Sequence, residues 1–251
     1  MLKILHKIKC LITKPTVGSL FSGGGGLDLG FEWQGFKPLW FVENDLHSQT
    51  ILRKNHRNAE IYGDIENVDF RKVKAVDVII GGFPCQDISK AGKGIGIQGT
   101  RSSLWKYYAE AIRILRPKFA LVENVPELAN KGLNVVLADL AQIGYDAEWH
   151  CVPASAIGAN HRRLRMFIIA YPKKAISQGI FEKREQTKRF KLKEIPREVL
   201  EAWHYQLSEP PLLGTSNGIP NRVYHIERLG NAVVPQVAEI FAAAIKEKIK
   251  R

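Results

Sequence analysis

The sequence predicts an α/β protein, a mostly parallel sheet with helices on both faces, carrying one small additional module. Three observations predict it. Short apolar runs alternate with helical stretches from Thr16 to about Tyr171, a glycine-rich turn joins the first run to the first helical pattern, and the character changes after Pro172. Alternation of this kind folds by crossover connections into a parallel sheet. Ligands of such sheets bind at the carboxyl ends of the strands.

The elements follow in order. In the opening MLKILHKIKCLITK, Leu5, Ile8, Leu11 and Ile12 recur at helical spacing, while Lys3, His6, Lys7 and Lys9 interrupt any signal-peptide core. Residues 1–15 therefore read as an amphipathic extension, with attachment to a membrane surface as the weaker alternative. No stretch is long and apolar enough to span a bilayer. VGSLF, PLWFV, VDVIIGG, FALVENV and MFIIAY read as buried strands. DLHSQTILRKNH, SLWKYYAEAIRILRP and LNVVLADLAQIG read as the helices between them. Residues 16–172 form the main domain on this reading. Residues 173–222, basic and then rich in turn residues, form a short module. Residues 223–251 close the chain with the helical pattern VPQVAEIFAAAIKEKIK, whose last-turn cations suit the helix dipole.

A chain of 251 residues suits one sizeable core plus an appendage. With 45% hydrophobic and 25% charged residues it is an ordinary globular composition, which excludes disorder as the default. The net charge of +12 and a pI near 9.6 favour a polyanionic partner, without separating DNA from RNA or an anionic membrane. Three scattered cysteines, Cys10, Cys85 and Cys151, exclude a disulfide framework and a zinc site and fit a reducing cytoplasm.

Four segments carry chemistry. FSGGGGLDLGFE (Phe21–Glu32) lets backbone amides at a helix start approach a ligand, which signals a nucleotide-like cofactor; the spacing is not GxGxxG, so a dinucleotide fits poorly. Glu43 in FVEND and Asp64 in YGDI sit where strands end, where a carboxylate can accept ribose hydroxyls; each alone also reads as a solvated loop acid. GGFPCQDIS puts the Cys85 thiol after a buried strand, at the active edge of the sheet. The glycine-punctuated loop behind it reads as a cover for substrate. Cys10 and Cys151 lack that setting and read as small structural hydrophobes. ALVENVPEL places Glu123 at a strand end, where burial should raise its pKa and let it act as an acid. NHRRLRMFIIA puts Arg163 and Arg165 on one side of a strand entering the sheet.

In this order, FSGGGGLDLGFE, GGFPCQDIS, ENV, HRRLR and RLGNAVVP resemble the cytosine carbon-5 DNA methyltransferase family over about Thr16–Tyr171 and Asn221–Ile245. The resemblance implies a Rossmann-like S-adenosylmethionine-dependent methyltransferase fold. It implies a monomer acting on double-stranded DNA in the cytoplasm, at the nucleoid, without a metal or a membrane. Cys85 would add to carbon 6 of a flipped-out cytosine, at an unstacking cost on the order of a few kcal/mol. Glu123 would hold or protonate ring nitrogen 3, Arg165 would bind the base oxygen, and Arg163 would support the pocket. The cofactor, S-adenosyl-L-methionine, leaves as S-adenosylhomocysteine. By the same resemblance its contacts are Phe21, Gly23, Gly25, Glu43, Asp64 and Ile65, with Pro84, Leu104, Asn231 and Val233. Phe83, Gln86, Ser89 and Arg101 would meet the substrate. Two departures stand out. Asn160 and His161 replace the commoner Pro-Gln, and the 173–222 region is short, which suggests a short or relaxed recognition sequence in a solitary or phage-type enzyme. A transfer-RNA methyltransferase and a silent DNA-binding relative are the rival readings.

Overall fold

The computed structural model describes residues 14–84, 104–159, 161–173, 180 and 233–249. The N-terminal helical pattern, Cys10, Cys85, Gln86, Ser89, Arg101, Asn231 and nearly all of the 173–222 module lie outside the described residues. Seven strands form one sheet, in the spatial order β3-β2-β1-β4-β5-β7-β6. They are β1 (Thr16–Leu20), β2 (Lys37–Val42), β3 (Glu60–Tyr62), β4 (Val78–Gly82), β5 (Phe119–Asn124), β6 (Tyr145–Pro153) and β7 (Leu164–Pro172). Strands β1 to β5 are parallel, and β7 runs antiparallel to both β5 and β6. The order steps one way from β1 to β2 and the other way to β4, so the crevice of a doubly wound sheet opens between them.

The helices are α1 (Gly26–Trp33), α2 (Leu46–Asn55), α3 (Trp105–Leu115), α4 (Leu128–Lys131), α5 (Leu133–Gln142) and α6 (Pro235–Ile249). The apolar strands bury both faces, because successive side chains alternate across the sheet. Phe119, Leu121, Phe167 and Ile169 pack with Leu27 and Phe31 of α1 and Val237 and Phe241 of α6. Ala120, Val122, Met166 and Ile168 face the other way, onto Trp105, Tyr108 and Ile112 of α3 and Val136 and Leu140 of α5. The C-terminal helix thus packs against the helix that follows the glycine turn.

Two strands escape the sequence reading. Strand β3 is only three residues, EIY, too short for any period to register. Strand β6 alternates in its sequence, YDAEWHC; Tyr145 and Ala147 turn to the core as that pattern asks, whereas Trp149 and Cys151 on the same side are exposed. That period-2 pattern is what a half-exposed edge strand shows. Cys151 lies on this edge strand and is exposed, not a buried hydrophobe as the sequence suggested. No helix among the described residues is long and apolar enough to cross a membrane.

Candidate active site

The carboxyl ends of β1, β2, β4 and β5 and the segment after β3 surround a cavity of about 360 Å³. That volume is in the range of roughly 300–1,000 Å³ expected of a small-molecule site. Its wall falls into two halves.

The first half is built from turns. After β1, Phe21 adopts a left-handed backbone (φ 54°) that costs a non-glycine residue about 1–2 kcal/mol. Gly25, at φ 84°, then caps α1 in a conformation that a side chain would strain. The Glu43 carboxylate, just past β2, accepts the Gly23 N–H at 2.6 Å and the Asp45 N–H at 2.9 Å. It therefore ties the glycine turn to the turn that opens α2, where Asp45 caps the helix by accepting the Ser48 N–H. A carboxylate has about four acceptor positions. The Gly23 and Asp45 amides use two of Glu43's. Asp64 caps the short turn Ile65–Asn67 through the Glu66 N–H and lines the cavity beside Ile65.

The second half is built from side chains. Glu123, at the end of β5, is 8% exposed, and its Oε1 lies 3.0 Å from Nε of Arg165 on β7. It leans over Gly82, where a Cβ would come within 2.5 Å of Oε2. A side chain there would have to displace the Glu123 carboxylate. Burial pushes the Glu123 carboxyl above the usual carboxylate range, against the pull of Arg165 and Arg163. Arg163 is half-buried in turn; burial, reinforced by the neighbouring Arg165 charge, lowers its pKa to about 10. Phe83, Pro84 and Leu104 complete this wall.

Among the described residues, most of those expected from the sequence converge: Phe21, Glu43, Asp64, Ile65, Phe83, Pro84, Leu104, Glu123 and Arg165 all line the cavity. Gly23 reaches it through Glu43. Gly25 and Val233 stand behind the wall: Gly25 caps α1, and the Val233 carbonyl would meet a Cβ at Gly26 at 2.8 Å. Val42, Asn44, Gly63, Gly82, Asn124 and Val125 line the cavity too, and the sequence reading gave them no role. Gly82, Asn124 and Val125 sit inside motifs it quoted. Asn44 and Gly63 neighbour Glu43 and Asp64, so adjacency was the available signal. Among the described residues no cluster of three His, Cys, Asp or Glu side chains is placed to hold a metal ion.

A family model for C-5 cytosine-specific DNA methylases matches residues 16–211. The chain belongs to that family. Among sequenced relatives, the type II methyltransferase M.PspPI of a Psychrobacter species is 43% identical over 132 residues, covering 50% of this chain and 32% of that protein. M.NgoBI of Neisseria gonorrhoeae is 33% identical over 156 residues, covering 61% of this chain and 49% of the relative. M.Sau96I of Staphylococcus aureus is 32% identical over 189 residues, covering 72% and 43%. The chain thus spans between about a third and a half of the length of these family members. Among solved structures, a DNA modification methyltransferase encoded within an Escherichia coli prophage superposes with TM-score 0.55 at 29% identity, covering 67% of this chain and 51% of that one. The Entamoeba histolytica methyltransferase EhMeth superposes with TM-score 0.67 at 15% identity, covering 95% of this chain and 100% of that one. The latter likeness is one of fold, and it supports the Rossmann-like methyltransferase architecture.

Proposed function

We propose that this protein methylates carbon 5 of cytosine in double-stranded DNA, with Cys85 as nucleophile and S-adenosylmethionine as methyl donor. The observation that carries the reading is Glu123. A buried acid, gripped by Arg165, shares one cavity with the two carboxylates Glu43 and Asp64. Phe83 and Pro84, which lead in sequence to Cys85, line the same cavity.

The cofactor fits the first half on the donor set alone. Glu43 keeps acceptor positions for ribose hydroxyls, Asp64 can accept from an amino group, and Phe21 and Ile65 offer apolar contact, with Leu104 of the other half also on the cavity wall. Both carboxylates also favour a ligand with cationic centres. When bound there, S-adenosylmethionine supplies an electrophilic methyl carbon on a sulfonium centre.

The chain's own residues make the base reactive. Carbon 5 of cytosine is a poor nucleophile, and the ring takes a thiolate at carbon 6 only if the electron density pushed into it is neutralised. Glu123, its carboxyl raised by burial, can hold a proton and share it with ring nitrogen 3. Arg165 fixes that carboxyl through Nε, and its guanidinium has further donors for the base oxygen. As the Cys85 thiolate forms its bond to carbon 6, the ring pair moves so that carbon 5 becomes the carbon of an enamine. After carbon 5 has been substituted, loss of its proton returns an electron pair to the ring, and Cys85 leaves as thiolate with the bonding pair. The surplus of 12 positive charges on the chain suits the phosphates that must be held while one base leaves the stack.

Labelled methyl transfer into duplex DNA tests the reading, with Cys85→Ala alongside. The expected result is label in 5-methylcytosine from the wild type and none from the variant. Label that persists in the variant removes Cys85 from the chemistry. Transfer to transfer RNA in preference to duplex DNA moves the substrate to RNA.

A further inference from the structure

Asn124 follows Glu123 at the end of β5, and the mechanism above gives it no task. It is 2% exposed and lines the cavity. Both ends of its carboxamide are committed. Nδ2 donates to the Phe83 carbonyl at 3.2 Å, and Oδ1 accepts the Val125 N–H at 2.8 Å. The last register pair between β4 and β5 is Gly82 with Glu123, so the Phe83 carbonyl lies just beyond the ladder. Pro84, next in the chain, has no N–H to give. The Asn124 side chain therefore carries a hydrogen bond across the gap where strand pairing has ended. On its other side the same turn is held by its own ring: Phe83 is 2% exposed, with its centroid 5.6 Å from that of Trp105 on α3.

We propose that Asn124 is a positioning residue, which fixes the Phe83–Pro84 turn, the residues that immediately precede Cys85 in sequence, to the end of β5 beside the acid Glu123. The proposal rests on the methyl-transfer reading. Asn is suited to the task because one side chain must both donate to a carbonyl and accept from an amide. Asp at this position keeps the shape but loses the donor and aims a charge at the Phe83 carbonyl. Ala loses both bonds.

The test reads the cysteine step without the cofactor. When a thiolate adds at carbon 6, carbon 5 takes up a solvent proton. Loss of the original hydrogen and expulsion of the thiolate then restore the base. Release of tritium from carbon 5 of cytosine in duplex DNA therefore reports addition of the thiolate and its reversal, independently of methyl transfer. Asn124→Ala and Asn124→Asp are expected to slow this exchange and methyl transfer together, roughly 10- to 100-fold, as befits unsatisfied buried polar groups. Binding of S-adenosylmethionine and the KM for DNA should change by no more than about threefold, because the lost interaction matters in the step and not in uniform binding. A carboxylic acid that regains its proton regains a donor. Relative to wild type at each pH, Asn124→Asp should recover as the pH is lowered, and Asn124→Ala should not. Exchange at the wild-type rate in the isosteric Asn124→Asp variant at neutral pH overturns the proposal. So does loss of cofactor binding in step with exchange, which would make Asn124 a cavity wall. A wild type silent in both exchange and methyl transfer takes down the methyl-transfer reading, and this proposal with it.

Discussion

The two halves of the cavity hold their carboxylates in opposite ways. Glu43 is held by backbone: the N–H groups of Gly23 and Asp45 close on its two oxygens. Glu123 is held by a side chain, the Arg165 guanidinium, and otherwise by burial over Gly82. Backbone amides only donate, so both Glu43 oxygens accept in these two bonds. That suits recognition of hydroxyl groups. Glu123 is balanced between a cation that favours its ionised form and a desolvation that disfavours it, and desolvation is the larger. That suits a group that must hold a proton and share it. A third carboxyl, Asp28, lies fully buried on α1. It accepts the Ser19 hydroxyl at 3.0 Å, and burial, with a smaller contribution from the Glu32 charge, pushes its pKa up to about 7.

The largest effect should come from breaking the second half alone. Glu123→Gln keeps the shape of the side chain but cannot ionise or pass a proton. Methyl transfer and cofactor-free exchange at carbon 5 should both fall by roughly 10²–10⁴-fold, the usual contribution of a general acid. Equilibrium dialysis should find S-adenosylmethionine binding nearly unchanged. A variant that loses the cofactor as readily as the rate would show that the two halves are one electrostatic unit.

Asp28 sharpens the comparison on the side of stability. A carboxyl whose folded pKa lies above its unfolded value of 3.8 contributes most below that value, and the contribution is lost as pH rises through about 7. Wild type should therefore lose stability relative to Asp28→Asn between about pH 4 and 8. At 1.36 kcal/mol per pKa unit the drift is at most about 4 kcal/mol. Urea midpoints of both proteins across that range measure it. A constant difference at every pH would mean that Asp28 is not titrating in the fold.

The same contrast explains what could be read from the sequence. The backbone-held half is local: four consecutive glycines, Gly23 to Gly26, after an apolar run announce a turn with exposed amides, and Glu43 stands at a strand end. Its parts could be named from spacing. The side-chain-held half depends on β7 running antiparallel against β5, with Glu123 opposite Phe167, so that Arg165 meets Glu123 on the diagonal. Nothing in periodicity gives that direction, and only the order of the motifs suggested that the two residues work together. Asn124 was less legible still. Its role comes from where the β4–β5 ladder stops, and the sequence does not show the last paired residue. Strand β3 was missed for length, whereas β6 carried an alternating pattern that could have been read.

The smallest effect expected here is also the cleanest separation of the halves. Glu43→Gln has one acceptor oxygen where the carboxylate had two. It can accept from Gly23 or from Asp45 but not from both, and its amide nitrogen then faces a donor. Loss of a hydrogen bond to a charged group costs about 1.5–3 kcal/mol, which corresponds to roughly 10- to 100-fold weaker S-adenosylmethionine binding. The glycine turn should loosen with it, since Glu43 is what ties that turn to the start of α2. Glu123, Arg165 and the Phe83 turn share no hydrogen bond with Glu43, so cofactor-free exchange at carbon 5 should continue at the wild-type rate. If Glu43→Gln slows that exchange as Glu123→Gln does, the cavity is not two independent halves, and backbone-held and side-chain-held carboxylates would have to be treated as one coupled network.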